Sequence, residues 1–315
     1  MEAEQGNTPN RIGRRQALCV FGLGAAAVCL SSCQLLPQSE PSVPEPDRKH
    51  LVVAFGPSGD PTKAKAGAKP VADFLSKKCG FEVHVAIPTD YSDSVSLLGD
   101  KSVDAALLPP YFYVLAREKY GVEPAFSAQI AHPTTRALQS TLKANILVRS
   151  DAGIKSVSEL KGKKIAFVEG SATGHLIPGM YLKNSGVNPS VDLIVLDARD
   201  EGTAVKGLTD GKFDVVAVVD DIRPTLAKTV PDVDKKTSVL ATVEGIPTEV
   251  LAIRKGFKNA GALRDAFRAL GTPEAVGADN KPLLAIIGWD GLKEAKDDDY
   301  KTIRDALKAL DISVR

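Results

Sequence analysis

Short apolar segments alternate with longer segments of helical spacing through the first part of the folded chain. Residues 50–55 are apolar and β-branched and are followed by Gly56-Pro57, which is typical of a buried strand. The same alternation predicts strands over residues 50–55, 81–87 and 103–109 and helices over residues 63–78 and 92–98. A β-α-β order of this kind predicts parallel strands joined by crossover helices, and hence an α/β fold.

A second set of the same elements begins near residue 144. It predicts strands over residues 163–170, 191–197 and 213–221, helices over residues 156–162 and 203–211, and one more helix that follows the loop within residues 167–187. Ser156 and Glu159 have the spacing of a capping box at the start of the first of these helices. Residues 247–256 predict one more strand, and two helices follow it to the C-terminus.

The two sets predict two α/β lobes, with the chain returning to the first lobe at its end. We expect residues 50–143 to begin lobe 1, residues 144–245 to form lobe 2, and residues 246–315 to return to lobe 1. This is the layout of a hinged, two-lobe binding protein. Because open α/β sheets bind ligands at strand ends and helix N-termini, the cleft between the lobes is the expected site.

The N-terminus indicates export and a lipid anchor. Residues 11–15 are basic, and residues 17–30 form an uncharged apolar run that is too short to span a bilayer but fits a signal peptide. The run ends in Leu30-Ser31-Ser32-Cys33, which resembles a bacterial lipobox with cleavage before a diacylated Cys33. A plain secretory signal is the alternative, and Sec and twin-arginine export both stay open. Residues 34–49 contain four prolines and predict an extended spacer.

Composition and motifs exclude several classes of function. The net charge of +1, without a basic stripe, argues against nucleic-acid binding. Only Cys79 remains in the folded part, so neither an internal disulfide nor a structural zinc site is expected. The four histidines lack metal-ligand spacing, and we expect no metal and no cofactor. A nucleophile elbow, a phosphate-binding loop and a dinucleotide fingerprint are all missing from the sequence, which argues against an enzyme.

The stretch FVEGSATGHLIPG, residues 167–179, joins a predicted strand to a predicted helix through a loop of tiny residues. Hydroxyls and backbone N–H groups at such a position favour an anion. The same residues can also be a simple helix cap.

Six segments, taken in order, carry a family resemblance: TDYSDSVSLL, VDAALLPPYFYVLAREKYGVEP, ILVRSDAGIKSVSELKGKKIAFVEGSATGHLIPGMYLKNSGVNP, LTDGKFDVVAV, GIPTEVLAIRKG and WDGLKEAKDDDYKTIRDALKAL. From about residue 50 to the C-terminus the chain resembles the phosphate, phosphite and phosphonate substrate-binding proteins of ABC importers. The resemblance implies a type II periplasmic-binding fold with a hinge between its two lobes.

The resemblance also implies a set of ligand-binding residues. Ser171, Thr173 and Gly174 would hold the anion, with His175 following them. The opposite wall would come from Ser58, Asp60, Thr89 and Tyr91, and one of the aromatic residues after Pro109-Pro110, such as Tyr111, would line the cleft. Asp220, at the end of a buried strand beside Asp221, is a candidate for a cationic group of the ligand or a turn residue.

Several positions depart from the family pattern. They are Pro109, Phe112, Ala144 and Ala172, where the family places a glycine or hydroxyl side chains, and Arg199-Asp200-Glu201, where it places a Ser-His-Asp-like stretch. The expected function is a lipid-anchored substrate-binding component of an ABC importer that captures a phosphorus oxoanion or phosphonate by hinge closure. A larger phosphate-bearing or zwitterionic metabolite is the alternative ligand, and a solute-sensing lipoprotein is the alternative role. We expect a monomer on the extracytoplasmic or periplasmic face of a bacterial membrane, with an ABC permease as its partner and no nucleic acid.

Overall fold

The computed structural model describes residues 49–57, 60–132 and 135–314. In these ranges the strands are β1 (His50–Ala54), β2 (Glu82–Ala86), β3 (Ala105–Leu108), β4 (Glu123–Ala131), β5 (Leu138–Gln139), β6 (Thr141–Arg149), β7 (Lys164–Phe167), β8 (Ile194–Asp197), β9 (Val215–Val219), β10 (Thr237–Pro247), β11 (Val250–Ile253) and β12 (Gly291–Glu294).

The helices of the same ranges are α1 (Pro61–Cys79), α2 (Tyr91–Gly99), α3 (Pro110–Tyr120), α4 (Ile177–Asn184), α5 (Pro189–Asp192), α6 (Glu201–Thr209), α7 (Arg223–Leu226), α8 (Val233–Lys236), α9 (Ala260–Leu270) and α10 (Lys301–Ala309). Among the residues that the structure describes, no helix is long and apolar enough to cross a membrane. The predicted signal peptide, the lipobox with Cys33, and residues 34–48 of the spacer lie outside the described residues.

The strands form two mixed sheets. The first has the order β12-β4-β11-β3-β1-β2, with β5 paired to β4. Its strands β1, β2 and β3 are parallel, and β11 joins them antiparallel to β3. The second has the order β10-β6-β9-β7-β8, in which β7, β8 and β9 are parallel. The predicted α/β class is therefore confirmed, and each sheet extends a parallel centre with antiparallel strands.

Local sequence signals explain the helices that begin next to the sheet edges. The carboxylate of Asp60 accepts a hydrogen bond from the N–H of Lys63 at the start of α1, and Pro61 occupies its first turn. Helix α1 ends at Gly80, whose φ of 74° is the left-handed conformation that glycine adopts most easily. Glu159 accepts the N–H of Ser156, so the predicted capping box forms, although it starts a single 3₁₀ turn over Val157–Leu160 rather than a longer helix.

The structure adds elements that the pattern did not predict. Helix α3 begins at Pro110 directly after β3, where proline fits the first helical position because it needs no intrahelical donor. Strands β4 and β10 are long antiparallel strands beside the predicted ones. The strand predicted over residues 191–197 is shorter than expected, because Pro189–Asp192 forms the helical turn α5 before β8.

The chain passes between the two sheets in two short segments. One joins β5 to β6 at Ser140, and the other joins β10 to β11 at Thr248. The hydroxyl of Thr248 donates to the carbonyl of Ala128 at 2.6 Å and lies 3.3 Å from the carbonyl of Ser140, so the two segments are held together. The lobe boundaries given above stay a prediction.

The C-terminal helix packs against residues that follow β7. Ile303, Ala306 and Leu307 of α10 share a buried cluster with Leu176 and Ile177. The Lys183 ammonium donates to the carbonyl of Ala309 and lies 3.0 Å from the Asp311 carboxylate. Apolar packing and an ion pair thus tie α10 to α4, close to the cavity described next.

Candidate functional site

A cavity of about 470 Å³ lies where the ends of strands from both sheets meet. Its lining comes from the segments before α2, after β3, after β7 and after β8, from the start of β6 and the end of β10, and from the segment at Thr248 that crosses between the sheets. The lining residues are Asp90, Tyr91, Pro109, Pro110, Phe112, Leu142, Val168, Glu169, Gly170, Ser171, Ala172, Thr173, Arg199, Pro247, Thr248 and Glu249. This is the position at which open α/β sheets bind small molecules.

Two aromatic residues form one wall of the cavity. The rings of Tyr91, at the start of α2, and Phe112, in the first turn of α3, have centroids 5.3 Å apart. Burial raises the pKa of the Tyr91 phenol to about 12, and the nearby Glu249 carboxylate adds to the shift. The Tyr91 hydroxyl is therefore a neutral hydrogen-bond donor at physiological pH.

The loop after β7 approaches these aromatic rings closely. Gly170 has a φ of 70°, and a Cβ atom there would lie 3.1 Å from the ring of Tyr111 and 3.3 Å from that of Phe112. A side chain at position 170 would have to displace both rings, so glycine brings the two walls together at this point.

Ser171 and Thr173 supply the hydroxyls of the opposite wall. Both lie in or beside a π-helical turn over Ala172–Leu176 that leads into α4. The Ser171 hydroxyl caps this turn by accepting the N–H of Gly174 at 2.8 Å. The Thr173 hydroxyl donates to the carboxylate of Glu201 at 2.7 Å, and the Ser171 hydroxyl lies 3.3 Å from the same oxygen atom. The loop is thus a helix cap and a set of donors at the same time.

The charged residues of the cavity are mostly acidic. Asp90, Glu169 and Glu249 line it together with one cation, Arg199. Burial raises the pKa of Glu249 to about 7, although the indole N–H of Trp289 donates to this carboxyl at 2.8 Å and lowers it in part. Glu249 therefore ionises at a higher pH than an exposed glutamate does.

The structure brings together three of the predicted site residues, because Tyr91, Ser171 and Thr173 all line the cavity. Of the three aromatic residues that follow Pro110, Phe112 is the one in the lining. The Tyr111 ring packs edge-on against Phe112 at 5.0 Å, and burial followed by the nearby Glu169 raises the pKa of its phenol. Tyr113 is fully buried and donates to Asp297 at 2.6 Å.

Gly174 and His175 lie behind the lining. The ring of His175 stacks on Phe167 at 4.7 Å, and its Nδ1 is buried without a hydrogen-bond partner. Burial lowers the pKa of His175, while Glu169 and Asp197 oppose the shift. His175 is therefore neutral at physiological pH and supplies no positive charge to the wall.

The other predicted site residues are placed outside the lining or outside the described residues. Asp60 caps α1, and the Thr89 N–H donates to Asp93 at 3.1 Å. Asp220 has a φ of 37°, and its backbone binds Lys143 and Asn145 across the second sheet. Ser58 lies outside the described residues. A ligand contact for each of these four positions stays a prediction.

Glu249 is an ionisable cavity residue that the sequence pattern did not single out. It immediately precedes the buried strand β11, which runs antiparallel to β3. The beginning of β11 therefore lies at the same sheet edge as the end of β3, where ligand-binding residues gather. In the sequence Glu249 is a lone acidic residue before an apolar strand. Its place at the cavity follows only once the direction of that strand in the sheet is known.

Comparison with known proteins identifies the family. The family described as "ABC transporter, phosphonate, periplasmic substrate-binding protein" matches residues 53–300. This chain belongs to that family, and the resemblance noted from the sequence is confirmed. Because the family consists of transporter binding proteins, the expectation of a binding protein rather than an enzyme is confirmed as well.

Three individual relatives have between 17% and 27% sequence identity to this chain. The "Phosphate-import protein PhnD" of Mycolicibacterium smegmatis is 27% identical over 172 residues, 52% of this chain and 52% of that protein, so the chain matches about half the length of this curated relative. A structure of PhnD1 from Prochlorococcus marinus in complex with methylphosphonate has a TM-score of 0.66 at 17% identity, over 84% of this chain and 99% of that one.

A second solved structure supports the same fold. The binding protein component of an ABC phosphonate transporter from Pseudomonas aeruginosa has a TM-score of 0.63 at 19% identity, over 84% of this chain and 89% of that one. At these identities the two solved structures show the shared fold, which is the type II periplasmic-binding fold expected from the sequence.

Proposed function

We propose that this chain is the receptor of an ABC importer and captures a small phosphonate-type solute in the cavity between the Tyr91–Phe112 wall and the Ser171–Thr173 wall. The observation that carries the proposal is the position of the cavity, which draws its lining from the strand ends of both sheets. The family match supports the transport role. The neutral Tyr91 hydroxyl is suited to a phosphorus-bound oxygen, since it can donate a hydrogen bond.

Hinge closure is part of the proposal. The two sheets are connected by the segments at Ser140 and Thr248, and both segments lie next to the cavity. A rotation about these two segments would change the distance between the cavity walls with little change inside either sheet. The ligand would then favour the closed arrangement because its contacts to both walls exist together only there.

The acidic lining supports an alternative ligand. Asp90, Glu169 and Glu249 face the cavity with Arg199 as the cation, and the Arg199 side chain is 92% exposed. A zwitterionic or larger phosphate-bearing solute would place an ammonium or a neutral part near the carboxyls. A bare oxoanion would not compensate their charge.

Calorimetry with phosphate, phosphite, methylphosphonate and aminoethylphosphonate tests the ligand class on the full chain in detergent. We expect at least one of the four to bind, and we expect Phe112→Ala to weaken that binding about tenfold because the ring covers one side of the cavity. Phe81→Ala, at an exposed aromatic residue that precedes β2 and is not in the cavity lining, is the control and should leave the affinity unchanged. Binding of none of the four ligands would rule out the phosphonate proposal.

Lipid anchoring at Cys33 is the remaining part of the proposed role. The sequence Leu30-Ser31-Ser32-Cys33 supports it, and two acyl chains would hold the protein at the membrane stably. We expect Cys33→Ser to move the protein from the detergent phase to the aqueous phase in Triton X-114 partition of bacterial cells. Cys79→Ala removes the buried thiol of α1 and should stay in the detergent phase. Equal partition of the Cys33→Ser variant and the unmodified chain would contradict the anchor.

A further inference from the structure

The carboxylate of Glu201 accepts hydrogen bonds from the Ser171 and Thr173 hydroxyls, which the sequence predicted to bind a ligand anion. Glu201 is the first residue of α6, and its Oε1 accepts from the Thr173 hydroxyl at 2.7 Å and from the Ser171 hydroxyl at 3.3 Å. Its Oε2 accepts from the backbone N–H of Val219, at the end of β9, at 2.7 Å. Glu201 therefore connects the loop after β7 with the neighbouring strand.

The hydrogen bonds around Glu201 are those of an ionised carboxylate. Thr173, Ser171 and Val219 all donate to it, and an ionised carboxylate can only accept. The backbone is shaped for this contact, because a Cβ atom at Gly174 would lie 3.1 Å from Oε1 of Glu201 and 3.1 Å from the Ser171 hydroxyl. A larger residue at position 174 would therefore push the Glu201 carboxylate or the Ser171 hydroxyl away by a few tenths of an ångström.

The other charged residues of the cavity would not balance the charge of a ligand anion placed beside the Glu201 carboxylate. Asp90, Glu169 and Glu249 add further carboxyl groups to the cavity lining. Arg199 is highly exposed, and its guanidinium lies 3.6 Å from the carboxylate of Asp200. A doubly charged oxoanion beside Ser171 and Thr173 would meet the Glu201 carboxylate within a few ångströms and would be repelled.

We propose that Glu201 is a specificity-determining residue, a built-in anion that occupies the Ser171 and Thr173 donors and restricts the cavity to phosphorus compounds carrying no more than one net negative charge. The proposal rests on the proposed function for the identity of the solute. The preferred ligand is then a phosphonate monoester, or a phosphonate whose own ammonium group balances one of its two negative charges. Fully ionised phosphate and methylphosphonate are not preferred ligands.

The first test compares methylphosphonate with its monomethyl ester at pH 9, where methylphosphonate is almost fully doubly charged, by calorimetry on the full chain in detergent. We expect the unmodified protein to bind the singly charged ester about tenfold more tightly than the doubly charged parent. Glu201→Gln keeps a hydrogen-bond acceptor and removes the charge, so it should bind the parent at least tenfold more tightly than the unmodified protein does. Glu274→Gln removes the same charge at an exposed position and should keep the original preference.

Two outcomes of this test separate the proposals. If the unmodified protein and Glu201→Gln bind the two ligands with the same ratio of affinities, the role of Glu201 is wrong and the proposed function stands. If neither protein binds either ligand, the phosphonate function itself fails, and the second test below decides the role of Glu201.

The second test needs no transport ligand. Glu201→Ala leaves the donors of Ser171, Thr173 and Val219 without their carboxylate, so added formate should fill the space and raise the Tm of this variant by about 3 °C or more. Formate should leave the Tm of the unmodified protein and of Glu274→Ala unchanged. An equal response of all three proteins to formate would overturn the internal-anion proposal.

Discussion

Replacement of Asp104 by Asn is expected to lower the free energy of unfolding by about 3–5 kcal/mol, because it removes one partner of a buried ion pair. Asp104 precedes β3, and its Oδ1 accepts from the Arg254 guanidinium at 2.9 Å. The side chains of Arg254 and Asp104 are 3% and 2% exposed. The other oxygen of Asp104 accepts the N–H of Val52 in β1 at 2.8 Å. The carboxylate thus joins three adjacent strands of the first sheet, the third being β11, which Arg254 follows.

Urea denaturation of the full chain measures this effect, with Asp298→Asn as the control. Asp298 is exposed, so the same change of charge there should cost less than about 0.5 kcal/mol. The double variant Asp104→Asn with Arg254→Met should lose less unfolding free energy than the two single variants lose in sum. The reason is that no guanidinium is then buried beside a neutral amide. A loss under about 1 kcal/mol for Asp104→Asn would contradict the expected role of the pair.

The parallel centres of the two sheets could be predicted from the sequence, because their strands are short apolar runs separated by helical segments. Strand β10 could not, since exposed and buried residues follow one another irregularly along Thr237–Pro247 and two irregularities interrupt its pairing with β6. Helix α3 was also missed. Its opening Pro-Tyr-Phe-Tyr favours a turn or a strand locally, and the helix depends on the burial of Tyr113 and Val114.

For the candidate site too, some residues could be predicted from the sequence and others could not. Ser171 and Thr173 could be predicted because the loop, its cap and the helix after it are adjacent in the sequence. The role of Glu201 could not, since it lies 28 residues from Thr173 and 18 residues from Val219, and only the packing of α6 against β9 brings the three together. Glu249 needed the direction of β11 as well. Contacts of this kind depend on tertiary structure, for which the local pattern carries no signal.

The stability of the protein is expected to fall as the pH rises from about 5 to 8, through the titration of Glu249. Burial raises the pKa of this carboxyl from its usual 4.5 to about 7 in the folded state. The folded protein therefore holds a proton that the unfolded chain has already lost, and the stabilisation from this proton is full below pH 4.5 and is lost as the pH passes 7. The difference corresponds to about 3 kcal/mol in the free energy of unfolding.

Glu249→Gln isolates this contribution. The variant keeps an oxygen atom for the indole N–H of Trp289, and it cannot ionise. The difference in unfolding free energy between the unmodified protein and Glu249→Gln should change by about 2–3 kcal/mol between pH 5 and pH 8, in favour of the variant at the higher pH. Glu123→Gln, at the exposed start of β4, is the matched control. A difference that stays constant over this range would show that Glu249 does not carry the titration.

The same proton sets the charge of the cavity wall. Glu249 lines both the candidate cavity and a neighbouring cavity of about 320 Å³, and Tyr91 lines both as well. A protonated Glu249 would present a neutral wall to an anionic solute, whereas an ionised Glu249 would add its charge to those of Asp90 and Glu169. Because burial raises the pKa of Glu249 to about 7, the charge of this carboxyl changes within the physiological pH range. The pH dependence of stability therefore reports directly on the charge that a bound solute would meet.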